Sequence, residues 1–149
     1  MDFLERLKQL VKDKKVLALG VGNSIKSDDG IGEYILKRLK TKNKIFCGSV
    51  PENFIFKIKE NEPDLVLIID AMDFQGKPGE VLLASAIDTR APKISTHSLS
   101  FDMFDKFLPG VDLHVLGIQA KNLDYGDEIS KEVLDSADHL VLELNKVLL

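Results

Sequence analysis

The segment DLVLIIDA, residues 64–71, constrains the fold more than any other part of the sequence. It holds an uninterrupted apolar run of strand length, made of valine, leucine and isoleucine. Runs of this kind are typical of strands buried on both faces, as in parallel sheets covered by helices. A second run, KVLALGV at 15–21, has the same character. We therefore expect a sheet that lies between two helical layers.

Helical patterns alternate with these strand-like runs. Apolar residues at i, i+4 and i+8 predict an amphipathic helix over 29–40, and similar spacing predicts helices at the N-terminus, over 97–108 and over 130–149. A proline opens a shorter helical segment at 51–63. The alternation predicts an α/β fold, a three-layer α/β/α sandwich on a mostly parallel, twisted sheet. The sheet is expected to have about five strands, at 15–21, 44–47, 64–71, 79–85 and 112–118.

One strand of this sheet is expected to run antiparallel at an edge. The connection between 64–71 and 79–85 contains Gly76, Pro78 and Gly79. It is shorter than the dozen or so residues that a parallel crossover needs. The strand at 79–85 therefore returns in the opposite direction.

Length, composition and charge limit the number of domains and the classes of partner that the chain can have. The chain of 149 residues has no internal repeat or linker-like tract, so we interpret residues 1–149 as a single domain. The net charge of −4 argues against nucleic acid as a partner. No segment reaches the roughly 18 apolar residues of a membrane span, so no membrane insertion is expected. The single cysteine, Cys47, excludes an internal disulfide and suggests a reducing, cytoplasmic compartment.

Polar residues gather at the ends of the predicted strands, where sites form in sheets of this kind. The loop GVGNSIKSDDGIG (20–32) follows the first strand and carries Asp28 and Asp29, Asp70 ends a later strand, and His97 follows the strand at 79–85. Two carboxylates and an imidazole would form a three-ligand site for a divalent metal, with an open position for water or substrate. Such a metal would polarise a carbonyl or activate water. The ligand types do not choose among zinc, nickel, manganese and iron.

Each of these residues also has an ordinary structural interpretation. Aspartate is a favoured helix N-cap, so one of the pair Asp28 and Asp29 is expected to cap the helix that follows. We assign Asp28 this role of helix cap, or that of a supporting carboxylate beside the site. A strand-end aspartate such as Asp70 often closes a turn, and a single histidine such as His97 is more often structural than a ligand. Structural or surface roles are expected for the remaining candidates, which are His114, His139 and Cys47.

Two phosphate-binding motifs fail on spacing. A G-x-G-x-x-G fingerprint that starts at Gly20 meets Ile25 where the third glycine belongs. A Walker A loop fails as well, because no Gly-Lys-Ser/Thr follows. Carboxylates at the helix start would also repel a pyrophosphate. We therefore expect no nucleotide cofactor.

A response-regulator receiver is an alternative. Receivers pair two aspartates near the first strand with a later strand-end aspartate that is phosphorylated, and Asp28, Asp29 and Asp70 imitate that separation. In this chain, residues 21–27 separate the acidic pair from its strand, and Lys121 is set back from the end of the last strand.

Five motifs, in order, resemble those of one family. The chain is similar to the nickel–iron hydrogenase maturation endopeptidases, which remove the C-terminal extension of the hydrogenase large-subunit precursor. The matching segments are GVGNSIKSDDGIG (20–32), GSVPENF (48–54), LIIDAMDFQGKPGEV (67–81), STHSLSF (95–101) and LGIQAKNLDYG (116–126). They cover most of the chain from Val16 onward.

The resemblance implies a site. The family's metal ligands, which are also its catalytic residues, fall on Asp29, Asp70 and His97, and the same resemblance assigns substrate binding to Gly48 and Ser49. The implied metal is the nickel already loaded into the precursor, so the protease would cut only after nickel insertion. The family is grouped with aspartic-type peptidases.

The chain departs from the family at one motif. Phe46 and Cys47 stand where many members have an acidic residue and a glycine, so the substrate role of that acid does not carry over.

The resemblance implies a metal-dependent endopeptidase whose partner is a hydrogenase large-subunit precursor and whose nickel comes with that substrate. Two alternatives remain at this stage. One is a receiver-like phosphoacceptor domain modified at Asp70. The other is a non-catalytic metal-binding chaperone that uses the same three ligands.

Overall fold

The computed structural model describes residues 2–86, 104 and 106–148. Its strands and helices, in chain order, are α1 (Phe3–Val11), β1 (Val16–Gly20), α2 (Ile31–Arg38), β2 (Lys44–Phe46), α3 (Ile55–Asn61), β3 (Leu65–Met72), β4 (Val81–Ser85), β5 (Asp112–Gln119) and α4 (Lys131–Val147). Short 3₁₀ turns at Ser27–Gly30 and Pro51–Phe54 lead into α2 and α3. Of the predicted helix over 97–108, Phe104, Lys106 and Phe107 are helical, and residues 97–103 and 105 lie outside the described residues.

The sheet has five strands in the order β2-β1-β3-β5-β4. The β1–β2, β1–β3 and β3–β5 pairs are parallel, and β4 runs antiparallel to β5 at the edge. The predicted mostly parallel sheet with one antiparallel edge strand is therefore confirmed. Strand β3 lies at the centre, and every one of its eight residues is buried, which explains its uninterrupted apolar sequence.

Two apolar layers cover the faces of the sheet. Residues such as Leu67 and Ile69 of β3 pack against α1, α2 and α4 on one face. Their neighbours Val66 and Ile68 point the opposite way, toward α3 and Phe104, because side chains alternate along a strand. Full burial of each such aliphatic side chain contributes about 1.5–3 kcal/mol. The three-layer α/β/α sandwich is the result.

No helix among the described residues is both long enough and apolar enough to span a bilayer.

Candidate active site

The topology creates a crevice between β1 and β3. The chain leaves β1 toward β2 on one side and leaves β3 toward β4 and β5 on the other. Ligands bind at such switch points, beyond the carboxyl ends of the strands. Gly20, the last residue of β1, pairs with Ile69 of β3, and Asp70 is the next residue along β3. Asp29 lies in the 3₁₀ turn that follows β1, so both predicted carboxylates come to the same edge of the sheet.

Asp70 is fully buried on the central strand. By strand alternation it shares a face with Ile68 and Met72, the face covered by α3 and Phe104. Removing a carboxylate from water is costly unless specific interactions compensate. Asp70 therefore lies within the buried strand β3 and not in a surface turn.

Asp29 sits in a loop that folds back on itself. One of its carboxylate oxygens, Oδ2, accepts a hydrogen bond from the Asn23 backbone N–H at 3.0 Å, and the side chain is buried. Gly22 makes this closure feasible, because a Cβ on Gly22 would lie 2.0 Å from the Asp29 carbonyl oxygen. Gly22 also has φ of +146°, a conformation that side chains rarely adopt. Gly22 therefore allows the loop after β1 to close tightly against the backbone of Asp29.

Helix α2 rests directly on the strand ends through Gly32. A Cβ on this residue would lie 2.4 Å from the Val21 carbonyl oxygen and 2.7 Å from that of Ile69. Val21 directly follows β1, and Ile69 lies in the second half of β3. The Val21 N–H donates a hydrogen bond of 3.0 Å to the Ile69 carbonyl. This close contact fixes the start of α2 against the sheet, and with it the 3₁₀ turn that holds Asp29, three residues before Gly32.

Asp28 does not cap α2, and the predicted capping role is wrong for both aspartates. The residue at the N-cap is Gly30, and no side chain caps the helix, because the 3₁₀ turn already leads the backbone into it. The Asp28 carboxylate instead accepts four hydrogen bonds from the segment that precedes α4. Oδ2 accepts from Lys121 N, Asn122 N and Ser130 Oγ at 2.8, 2.9 and 2.9 Å. Oδ1 accepts from Ser130 N at 2.6 Å.

Gln119 binds the turn that follows β3 and was not singled out by the sequence patterns. It is buried at the end of β5, opposite Met72 of β3. Its Oε1 accepts hydrogen bonds from the backbone N–H groups of Phe74 and Gly76 at 2.9 and 3.0 Å. Its Nε2 lies 3.3 Å from Asp73 Oδ1. Gln119 thereby shapes the turn that follows β3. Its only signal in the sequence is its place in the segment LGIQAKNLDYG (116–126), which matches the family.

The predicted substrate-binding residues lie beside the Asp29 loop. The Gly48 carbonyl accepts a hydrogen bond of 2.8 Å from the Gly22 N–H, so the loop after β2 and the loop after β1 are joined. Gly48 has φ of +59°, and the space where its Cβ would stand is open. Ser49 is exposed. Both positions are accessible from the edge of the sheet at which the aspartates lie.

His97, the third predicted ligand, lies outside the described residues. Within the described ranges, no cluster of three or more histidine, cysteine, aspartate or glutamate side chains is arranged to hold a metal ion. The described part of the chain therefore supplies two carboxylates to the site and leaves the third ligand a prediction.

The other candidates have the structural roles expected of them. His114 lies on β5 with Nδ1 3.0 Å from Asp112 Oδ1, and burial lowers its pKa more than Asp112 raises it. His139 is exposed on α4. Burial raises the pKa of the Cys47 thiol to about 12, so Cys47 is almost entirely protonated near neutral pH and unsuited to nucleophilic attack.

Fold and site together define an α/β sandwich protein with paired aspartates at its switch point. The antiparallel β4 and the strand order differ from the 2-1-3-4-5 sheet of the flavodoxin-like class to which receivers belong. The HycI family of hydrogenase maturation proteases matches residues 30–146. The chain belongs to this family, as the resemblance of its motifs predicted.

Individual relatives give the same assignment. The crystal structure of the NiFe hydrogenase maturation protease HycI from Thermococcus kodakarensis superimposes with a TM-score of 0.83 at 28% identity, over 96% of this chain and 98% of that one. The hydrogenase 3 maturation protease of Escherichia coli is 29% identical over 80% of this chain and 82% of its own length. A Methanocaldococcus jannaschii protein, provisionally named a hydrogenase maturation protease, is 32% identical over 95% of this chain and 93% of its own.

Proposed function

We propose that this hydrogenase maturation protease is an endopeptidase that removes the C-terminal extension of a nickel–iron hydrogenase large-subunit precursor after nickel insertion. Family membership supports the protease activity. The finer proposal rests on one observation: two buried carboxylates, Asp29 and Asp70, come to the same switch-point crevice from different strands. Buried carboxylates at such a crevice are a recognised arrangement for chemistry rather than for stability.

The nickel in this proposal is part of the substrate. Carboxylate oxygens and an imidazole nitrogen are donors that divalent transition metals accept. Asp29 and Asp70, with His97 as the third donor, would engage the nickel that the precursor carries. A precursor without nickel would lack this anchor, and its scissile peptide would not be held at the carboxylates. The metal thus acts as the recognition element.

The chain's own residues would then perform the hydrolysis. Fixing the peptide beside the carboxylates replaces an encounter in solution with a positioned reaction, which is a large source of rate acceleration. One ionised aspartate accepts a proton from the water that attacks the peptide carbonyl, and that proton passes to the leaving amine. The hydrogen bond from the Asn23 N–H to Asp29 Oδ2 would hold this carboxylate in a fixed orientation.

Gly48 and Ser49 would contact the precursor. Gly48 is hydrogen-bonded to the Asp29 loop through Gly22, and its Cα faces open space. A precursor segment can therefore approach the backbone closely at this point. This is the same edge at which the scissile peptide must lie.

The test uses one precursor in two states. Purified large-subunit precursor, loaded with nickel or free of it, is incubated with the protein and its intact mass is followed. We expect loss of the C-terminal extension from the loaded precursor alone. Equal cleavage of both states, or cleavage of neither, would contradict nickel-gated proteolysis.

A further inference from the structure

The loop that carries Asp29 is fastened to a second loop, residues 120–130, which precedes α4. Backbone hydrogen bonds join them at several points. The Ser27 N–H donates to the Gly126 carbonyl at 2.7 Å, and the Gly126 N–H donates to the Ile25 carbonyl at 2.8 Å. The Asp28 N–H donates to the Asn122 carbonyl at 3.1 Å. The two loops therefore behave as one layer over the carboxyl edge of the sheet.

The Asp28 side chain lies at the centre of this layer. It is fully buried, and all four of its hydrogen-bond donors belong to residues 121–130. Three of the donors are backbone N–H groups, which only donate, and a carboxylate only accepts. Hydrogen bonds to an ionised acceptor are about twice as strong as neutral ones. No other side chain described in this layer makes as many contacts between the loops.

Asp28 and Asp29 point to different partners from adjacent positions of one 3₁₀ turn. Asp28 binds the 120–130 loop, and Asp29 Oδ2 accepts from the Asn23 N–H on the opposite side of the turn. A shift of the turn at Asp28 must therefore move the Asp29 carboxylate. Helix α4 has separate anchors to α2, because Tyr34 donates to Asp138 and Asn145 bonds the α2 C-terminus. Loss of the Asp28 contacts should consequently act locally.

We propose that Asp28 is a positioning residue of the peptidase: it holds the Asp29 carboxylate in its working orientation by binding the 120–130 loop. The proposal rests on the proposed function for its catalytic consequence. Its structural consequence, the fixing of the Asp29–Asn23 hydrogen bond, can be measured without activity.

Three variants grade the loss of contacts. Asp28→Asn keeps the size of the side chain but replaces one acceptor oxygen with an amino group that faces a donor. Ser130→Pro deletes both Ser130 donors, and its ring Cδ takes the place of the N–H that points at Asp28 Oδ1, 2.6 Å from the Ser130 nitrogen, so the Asp28 side chain must also move away. Ser130→Ala removes the hydroxyl donor alone. Asn145→Ala is the control, because it removes two side-chain-to-backbone hydrogen bonds between α4 and the far end of α2.

Amide hydrogen exchange gives the first readout. We expect the Asn23 N–H to exchange about 10-fold faster or more in Asp28→Asn and in Ser130→Pro, and nearly as in the wild type in Ser130→Ala and in Asn145→Ala. An Asn23 amide that keeps its protection in both Asp28→Asn and Ser130→Pro would overturn the proposal. Equal loss of protection in Asn145→Ala would also overturn it, because the effect would then be general destabilisation. If Asp28→Asn fails to fold, Ser130→Pro carries the test alone.

Cleavage kinetics on the nickel-loaded precursor give the second readout. We expect Asp28→Asn to lower kcat by about 10- to 100-fold and to raise KM as well, because the displaced Asp29 carboxylate both engages the nickel of the precursor and stands beside the scissile peptide. Asn145→Ala should leave both constants unchanged. A fall in kcat that Asn145→Ala shares would refute a positioning role. A wild-type protein that does not cleave would refute the proposed function, and the exchange data would still decide the role of Asp28.

Discussion

Replacing Gly32 with alanine tests the close packing of α2 on the strand ends. The added Cβ would lie 2.4 Å from the Val21 carbonyl oxygen, 2.7 Å from that of Ile69 and 3.0 Å from the Val21 nitrogen. All three atoms belong to backbone at the carboxyl ends of β1 and β3, where the sheet hydrogen bonds hold it. No side-chain rotation can relieve the contacts, so the helix must move away from the sheet.

The size of the effect follows from two opposing terms. Overpacking of a tight interior costs about 1–3 kcal/mol, and contacts with fixed backbone belong at the upper end. Alanine gains at most about 1 kcal/mol over glycine from helix propensity. We therefore expect Gly32→Ala to lower the free energy of unfolding by about 2 kcal/mol and Tm by about 4–8 °C. Because Asp29 lies in the 3₁₀ turn that leads into α2, a shift of the helix should displace it, and cleavage by the folded variant should slow as well.

Thermal and urea denaturation of Gly32→Ala and Gly110→Ala measure this cost. Gly110 has φ of +80°, and the position of its Cβ is open, so its variant reports backbone strain without overpacking, about 1–2 kcal/mol. It should cleave at the wild-type rate. A Gly32→Ala protein as stable as the wild type, with unchanged activity, would refute the packing argument.

Two further predictions concern buried polar groups. Burial raises the pKa of Cys47 from 9.0 to about 12. The unfolded chain therefore releases the thiol proton at a lower pH than the folded chain does. The contribution of the protonated thiol to the free energy of unfolding is complete below pH 9 and is lost as the pH rises toward 12. Between pH 8 and 10 this thiol should lower the free energy of unfolding by about 1.4 kcal/mol, and urea denaturation of Cys47→Ala should lack that component. Gln119→Ala leaves the N–H groups of Phe74 and Gly76 without their acceptor, which should cost about 1–3 kcal/mol in the same assay. A variant as stable as the wild type would show that water replaces the glutamine.

The strands and the two carboxylates at the sheet edge could be predicted because their signals are local. Five consecutive aliphatic residues leave β3 little alternative to a central buried strand. Asp70 follows from its position at the end of that run, since the parallel sheet brings strand ends to one edge. The short connection after β3 likewise determined that β4 is antiparallel.

The partners of Asp28 could not be predicted, because they lie about a hundred residues later in the chain. An aspartate just before a helix predicted a helix cap or a supporting carboxylate, and only the cap is wrong. The start of α2 was misjudged for the same reason. Ser27 adopts φ of +51° and binds Gly126 through its backbone, so residues 27–30 form a 3₁₀ turn and the helix begins at Ile31 instead of residue 29. Long-range hydrogen bonds overrode the local preference in both cases.

The central claim is most directly tested by the intact mass and nickel content of the nickel-loaded precursor after incubation with wild-type protein, Asp29→Asn, Asp70→Asn and Asp138→Asn. Asp138 lies on α4 and binds Tyr34, so its variant controls for the loss of a carboxylate away from the crevice. The account predicts that the wild type and Asp138→Asn remove the C-terminal extension, while with Asp29→Asn and Asp70→Asn the precursor keeps both its extension and its nickel. Cleavage by Asp70→Asn at the wild-type rate would contradict the assignment of the site. A precursor that keeps its extension with every protein, the wild type included, would contradict the proteolytic function itself.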